Sequence, residues 1–333
     1  MAITFQILGP PGRDNAVLAR VDSGQSVEKL LFDCGENCLT ELPFPEVQTI
    51  DQLFFSHLHM DHVGGFDGYF RAIYGRLTKP NTIWGPPRTA EILQHRFQGY
   101  LWNLHEVMQG TWRVTDIHPH ELRTQRFEVH EAYALAHDEV TRPYQFTLYE
   151  QPNYRIEALT LDHRTPSIGY VVREPARHNI DTAKMAALGL KPGPWLKAVK
   201  DESLADGQVD VAGQKRSLAE MRQLLMTKTP GDSMAYLTDF LLDDAGLEKV
   251  AGRLQGCRVV ICDGQYRHAD LELARKNFHM TTVLSAILAA RAQIGELVLF
   301  HLSDRYEPAE WRQMLAEARE VFPNTRYPHE WEV

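Results

Sequence analysis

An α/β fold is predicted for this 333-residue chain from three observations. Short apolar runs recur from the N-terminus to about residue 172, many alternating with period two as strands do. The last third alternates such runs with stretches of helical period. Strand after strand there is followed by an aspartate or a histidine, which predicts one cleft lined by strand ends.

The elements follow in order. Strands are expected over 4–8, 16–21 and 30–32, separated by the loop Gly9-Pro10-Pro11-Gly12 and a polar turn at Ser23-Gly24. Leu53-Phe54-Phe55 reads as a buried strand, and 63–76 as a helix that opens with glycines. Strand 82–84 runs into Gly85-Pro86-Pro87, and 88–105 reads as an amphipathic helix. Alternation returns over 112–117, 127–135, 145–149, 156–161 and 168–172. Residues 174–216 then change character, with Pro175, Pro192, Pro194, glycines and mixed charge in place of the β pattern. Within them 182–188 reads as a short helix and 189–195 as a rigid turn. The stretch is either an excursion with its own role or a solvated insertion. Strands over 234–238, 258–262 and 297–300 then deliver Asp239, Asp263 and His301. Helices over 244–253, 271–278 and 283–293 lie between them, and a last helix over 308–321 has proline in its first turn.

Composition narrows the function classes. A hydrophobic fraction of 44% is ample for a packed core, and a net charge of −9 argues against a generally basic nucleic-acid binder. No run approaches the ~18 apolar residues of a membrane span. The first residues lack the basic start and cleavage site of a signal peptide. Four cysteines are few enough to suit a reducing cytoplasm, and Cys34 and Cys38 read as structural. A cytoplasmic protein with no membrane association is expected.

The chemistry is concentrated in His57-Leu58-His59-Met60-Asp61-His62, where three histidines and an aspartate fall within six residues. His57 and His59 share a face while the chain is extended. Asp61 and His62 sit on the turn into the next helix, free to point at the same spot. Imidazole and carboxylate are the donors a catalytic divalent metal takes. His163 directly follows an apolar strand, and a rigid strand end places a ligand well. His118 and His120 flank Pro119 in a polar turn with no metal-like partner spacing, and His130 and His137 lie beside acidic residues on strand ends, so these four are weaker candidates than His163. Asp33, at the end of strand 30–32, is either an ordinary polar turn residue or a carboxylate that orients a metal-bound histidine. Together His57, His59, Asp61, His62, His163, Asp239 and His301 supply enough donors for two metals with Asp239 bridging.

These residues resemble the metallo-β-lactamase superfamily. Within it, Leu31-Phe32-Asp33-Cys34-Gly35-Glu36, Asp162-His163-Arg164-Thr165-Pro166-Ser167, His279-Met280-Thr281-Thr282 and His301-Leu302-Ser303-Asp304-Arg305-Tyr306 are similar to ribonuclease Z, the endonuclease that processes tRNA 3′ ends. The stretch Leu188 to Trp195, with Gly193 and Pro194, resembles the tip of that family's tRNA-gripping arm. The resemblance implies a four-layer αββα sandwich formed by a single domain, 1–333, with an inserted arm over 174–216. By analogy His57, His59 and His163 would hold one metal, and Asp61, His62 and His301 the other. Asp239 would bridge them. Two zinc ions are expected, although manganese and iron suit the same donors. A bridging water, its pKa lowered toward ~7, would attack phosphorus, and Asp61 would orient it. His279 would protonate the leaving oxygen, a task that suits a histidine outside the ligand set; the alternative is a packing role at a helix start. Ser303 and Arg305 would flank the phosphate, with Arg305 offering a two-pronged hydrogen bond or else serving a structural ion pair. The resemblance also implies a homodimer acting on precursor tRNA.

The chain departs from the family where Thr238-Asp239-Phe240 replaces Gly-Asp-Thr and Cys262-Asp263-Gly264-Gln265 replaces His-Glu-Ala-Thr. Asp263 is a candidate stand-in for that glutamate, and His268 a second candidate for proton transfer. These changes keep open a small-molecule metallohydrolase on the same scaffold, foremost a cyclic-nucleotide phosphodiesterase, then a lactone or thioester hydrolase.

Overall fold

The first three strands, Ala2–Leu8, Ala16–Asp22 and Val27–Phe32, form antiparallel neighbours in chain order. Gln52–Phe54 and Asn81–Gly85 then add in parallel, followed by Thr111–Ile117, Glu121–Glu128 and His137–Pro143. These make an eight-stranded sheet in a computed structural model that describes every residue except Met1, Glu202, Asp206 and Val333. The chain divides into two compact units, Met1–Arg173 with Asp232–Val333, and Glu174–Gly231.

The second sheet of the larger unit has seven strands among the described residues. Its central strands Ser233–Leu237, Val259–Asp263 and Glu296–Phe300 are parallel, and Pro166–Arg173 pairs antiparallel with Ser233–Leu237. Period-two burial explains the layering. Phe32 and Phe54 face the second sheet, where Phe32 lies 5.6 Å from both Tyr170 and Tyr236, centroid to centroid. Their neighbours Leu31 and Leu53 point the other way, into a core with Phe66, Tyr69, Phe70 and Phe97 of the helices Phe66–Ile73 and Thr89–Phe97. Helices Asp244–Leu254, Thr282–Arg291 and Pro308–Val321 bury Leu254, Leu288 and Met314 in the second sheet's core. The layers are therefore helix, sheet, sheet, helix. Each such side chain contributes about 1.5–3 kcal/mol when fully buried.

Several elements differ from expectation. The helix expected over 63–76 is two helices, Met60–Val63 and Phe66–Ile73, so Asp61 and His62 lie within the first helix. The break comes from the Cys34 backbone, which takes the His62 carbonyl at 2.8 Å and the Gly65 amide at 2.9 Å, and glycine is required at 65 because a Cβ there would come 2.2 Å from the Gly35 carbonyl oxygen. The helix expected over 88–105 stops at Phe97, where the Trp102 indole donates to the Phe97 carbonyl and covers the helix end. The strand expected over 127–135 ends at Glu128, and Glu121–Glu128 and His137–Pro143 form the hairpin instead.

The smaller unit has its own core of Met185, Trp195, Val199, Leu218, Met221 and Leu225. Asp181 caps the helix Thr182–Ala187 by accepting from the Ala183 and Lys184 amides. Gln208–Val211 and Gln214–Ser217 form a hairpin turned by Ala212 and Gly213, both at positive φ. The insertion was expected over 174–216, but this unit runs to Gly231. Leu218, Met221 and Leu225 complete its core, and Met226–Thr229 pairs with Arg177–Ile180. Among the described residues, no helix is long and apolar enough to cross a membrane.

Candidate metal centre

The strand ends converge on one edge of the sandwich. Asp33 follows Val27–Phe32, His57 follows Gln52–Phe54, His163 follows Arg155–Asp162, Asp239 follows Ser233–Leu237, and His301 follows Glu296–Phe300. Asp33, Asp239 and His301 all have left-handed backbones, with φ of 57°, 49° and 57°. This conformation costs an ordinary residue energy and turns the chain sharply off the strand, aiming the side chain along the sheet edge. The two sheets are joined beside the site: the Tyr170 hydroxyl donates to the Phe55 carbonyl at 2.7 Å, and the Ile168 amide to the Ser56 carbonyl at 2.7 Å.

Two donor groups assemble there. One is His57, His59, His163 and Asp239, the other Asp61, His62, Asp239 and His301, each with ligand atoms within 4.8 Å of one another. Asp239 belongs to both. Its Oδ2 lies 3.6 Å from His57 Nε2, 3.5 Å from His62 Nε2 and 3.7 Å from His163 Nε2. These separations are long for hydrogen bonds and suit donors arranged around a cation. His57 Nε2 and His62 Nε2 are buried and, among the described residues, have no hydrogen-bond partner. Buried nitrogens left this way are costly unless something coordinates them, so the donor set fits a pair of divalent metals. His59 is exposed and Asp61 half-buried, so the site opens to solvent on their side.

Residues behind the donors orient them. Asp33 is fully buried and accepts from Ser56 N and Oγ, both at 2.6 Å, from the Tyr236 hydroxyl at 2.6 Å, and from His62 Nδ1 at 2.7 Å. The last bond places the His62 proton on Nδ1 and leaves Nε2 free to ligate. His163 Nδ1 likewise donates to the Phe278 carbonyl at 2.8 Å. Ser56 and Tyr236 escaped the sequence reading. Ser56 lies inside the histidine-rich run, whereas Tyr236 is an apolar-strand position that nothing local marks.

The electrostatics favour a cation. Burial alone would raise the Asp239 carboxyl, but His301, His62 and His57 hold it well below its ordinary range. Asp61 is lowered in the same way, burial being overcome by hydrogen bonds with His301 and His62. Burial would lower His301, yet Asp239, Asp263 and Asp61 push it up to about 10. His57 goes down, chiefly through burial, and so favours the neutral imidazole a metal needs.

A third group lies beside these: Asp263 and His279 with Asp239 and His301. His279 Nδ1 is 3.0 Å from Asp263 Oδ2, and both residues are buried. The His279 ring lies 4.7 Å from that of His163 and 5.9 Å from that of His301. Ser303 and Arg305 follow His301. Arg305 Nε donates to Ser303 Oγ at 2.9 Å, its guanidinium lies 4.8 Å from the Tyr266 ring, and it forms no ion pair among the described residues. His268 stands outside the three groups, 3.0 Å from Thr281 Oγ1. His118, His120, His130 and His137 are also outside them, His137 bonding Glu131 instead. Gly193 and Pro194 belong to the smaller unit, where Pro194 precedes the helix Trp195–Lys200 and a Cβ on Gly193 would meet the Trp195 ring at 2.9 Å.

The chain is similar to known proteins in sequence and in fold. A family model described as Anti-Pycsar protein Apyc1 matches residues 14–158, which include the histidine-rich run. The crystal structure of the metallo-beta-lactamase fold protein YhfI from Bacillus subtilis superposes with a TM-score of 0.57 at 15% identity, covering 98% of this chain and 96% of that one. Human tRNase Z, short form, gives 0.52 at 18% identity, covering 92% and 94%. These likenesses establish the metallo-β-lactamase fold. Ribonuclease Z of Deinococcus radiodurans is 47% identical over 329 residues, spanning 99% of this chain and 98% of that protein, and on this end-to-end similarity the chain belongs to the ribonuclease Z family.

Proposed function

We propose that the protein is a binuclear metal-dependent phosphodiesterase that cleaves the 3′ trailer from precursor tRNA. The observation that carries this is the two-metal donor set centred on Asp239, in a chain 47% identical end to end to a ribonuclease Z. His57, His59 and His163 would hold one ion, Asp61, His62 and His301 the other, and Asp239 both. The metals would supply Lewis acidity and activate water for attack on phosphorus. Asp61, half-open to solvent, accepts a hydrogen bond from the attacking water and orients it. His279 donates its Nε2 proton to the leaving oxygen while Asp263 holds its Nδ1. Arg305 and Ser303 bind the phosphate, and the smaller unit, with Gly193 and Pro194, grips the tRNA body. The ligand chemistry favours zinc, histidine and carboxylate being its usual donors in catalytic sites. A homodimer and a cytoplasmic location follow from the family resemblance, and sedimentation of the purified chain tests the former.

The deciding experiment is cleavage of a precursor tRNA by the metal-loaded protein, run beside cyclic nucleotides and acyl esters. Trailer release that is lost in His279→Ala with metal content unchanged is the expected result. Turnover confined to acyl esters would overturn the reading.

A further inference from the structure

We infer that Arg164 binds a backbone phosphate of the RNA next to the one that is cut, an inference that rests on the tRNA reading above. Arg164 directly follows His163, and its backbone is left-handed at φ 58°. Its guanidinium lies 4.7 Å from the centroid of the Phe278 ring, and one terminal nitrogen donates to the Lys276 carbonyl at 2.9 Å. Phe278 is itself left-handed, at φ 60°, a conformation that bulky side chains seldom adopt. His163 Nδ1 donates to the carbonyl of the same Phe278. Residues 163–164 and 276–278 are thus fastened together at three points, and the fastening fixes the guanidinium on the ring of the residue that precedes His279.

Arg164 is exposed, and among the described residues it has no carboxylate partner. Stacking and one hydrogen bond occupy one face and one nitrogen of the guanidinium, so donors remain for an oxyanion. Arg305 offers a parallel close to His279. It too stacks on an aromatic ring, that of Tyr266, it has no ion pair among the described residues, and it follows a metal-site histidine by a few residues. The Tyr266 ring packs 5.6 Å from His279, and the Asn277 side chain donates to its hydroxyl. Two arginines are therefore backed by rings next to the proposed acid, Arg164 by Phe278, which precedes His279, and Arg305 by Tyr266, which packs against it. A small phosphodiester has one phosphate to offer such a pair, whereas a polynucleotide presents a second a few ångströms along its backbone. The chemistry recognised is a phosphate flanking the scissile one.

The alternative is that Arg164 only fastens the two segments. Two substitutions separate these roles. Arg164→Gln keeps a donor for the Lys276 carbonyl and removes the charge. Arg164→Lys keeps the charge and loses the planar stack. Precursor-tRNA cleavage by the metal-loaded full chain is measured across a series of KCl concentrations, with bound metal and thermal melting recorded for each variant. Arg164→Gln should raise KM about tenfold, with the loss carried by KM rather than kcat. It should also flatten the slope of log(kcat/KM) against log[KCl] by about 0.7–1, the signature of one lost phosphate contact. Arg164→Lys should restore the slope. If both variants lower kcat alike and keep the wild-type slope, Arg164 is a structural fastener and the inference fails. A wild type that hydrolyses cyclic nucleotides but not precursor tRNA overturns the tRNA reading and this inference together, an outcome distinct from failure of the inference alone.

Discussion

Asp33 Oδ2 accepts from His62 Nδ1 at 2.7 Å, entirely within the protein interior, and this bond sets which nitrogen of His62 faces Asp239. Burial by itself would lower the His62 pKa, but Asp239 and Asp33 on either side raise it well above its ordinary value. In Asp33→Asn the amide can no longer accept from Ser56 N, Ser56 Oγ, Tyr236 and His62 at once. Metal affinity should fall about 10–100-fold, as when such supporting carboxylates are removed elsewhere. Chelator competition measures this, and unchanged affinity would show that His62 keeps its tautomer without Asp33.

Removing metal should destabilise the fold. Buried His57 Nε2 and His62 Nε2 have no partner among the described residues to fall back on. Ions that bind only the folded state at a thousandfold excess over their Kd stabilise by roughly 4 kcal/mol. Thermal melting with chelator and then with added zinc should show the gain, and Asp239→Asn, which removes the carboxylate shared by both donor groups, should abolish it. Equal melting with and without metal would place the ions elsewhere.

His279→Ala should reduce kcat for trailer release by about 10²–10⁴, the usual contribution of a positioned general acid. Bound metal should stay the same, because His279 lies beside the two donor groups centred on Asp239 rather than within either. Asp263→Asn should produce a smaller loss of the same kind, since Asp263 acts through His279 Nδ1. A parallel loss of metal in both variants would instead make this pair part of the ligand set.

Much of the site was legible because its chemistry is local. The histidine-rich run and the polar residues at strand ends are visible one strand at a time. Tyr236 was not, because its hydroxyl reaches Asp33 across 203 residues of sequence inside an otherwise apolar strand. The broken helix after His62 was missed for a related reason. Gly64-Gly65 reads as a helix opening, whereas the break follows from the Cys34 backbone, which hydrogen-bonds the His62 carbonyl and the Gly65 amide. In the fold, most strand positions followed from period-two patterning and the layers from the family resemblance, but element ends such as Phe97 depended on a tertiary cover, Trp102. The smaller unit was placed 15 residues short, 216 against Gly231, because Leu218–Leu225 reads as a generic amphipathic helix until its partners Trp195 and Val199 are known.

The contact between Gly35 and Gly65 gives a prediction of its own. A Cβ at Gly35 would lie 2.6 Å from the Asp61 carbonyl oxygen and 2.6 Å from Asp14 Cβ, and the neighbours that must yield are mainly backbone. Gly35→Ala should destabilise the protein by about 1–3 kcal/mol, the range for overpacked interiors. It should also weaken metal binding, since the displaced backbone carries Asp61. Denaturant titration and metal titration read the two effects separately. Loss of stability with undisturbed metal binding would mean that Asp61 tolerates the shift.

The smaller unit yields the sharpest test of substrate. Deleting 176–204 would leave half of its core behind, because Leu218, Met221 and Leu225 pack with Met185, Trp195 and Val199. A better excision is set by strand register: Arg173 and Ser233 are directly paired across Pro166–Arg173 and Ser233–Leu237. Replacing 175–231 with a short Asn-Gly type turn would therefore close these two strands as a hairpin and spare the metal-bearing unit. The closed variant should bind metal as the full chain does and should hydrolyse a small activated phosphodiester. Its kcat/KM for precursor tRNA should fall at least about 100-fold, since 2.7 kcal/mol of remote binding is a modest share for a macromolecular contact. If the closed variant cuts precursor tRNA at the full-length rate, residues 175–231 do not grip the substrate, and recognition must lie in the metal-bearing unit, around Asp239, His279 and Arg305.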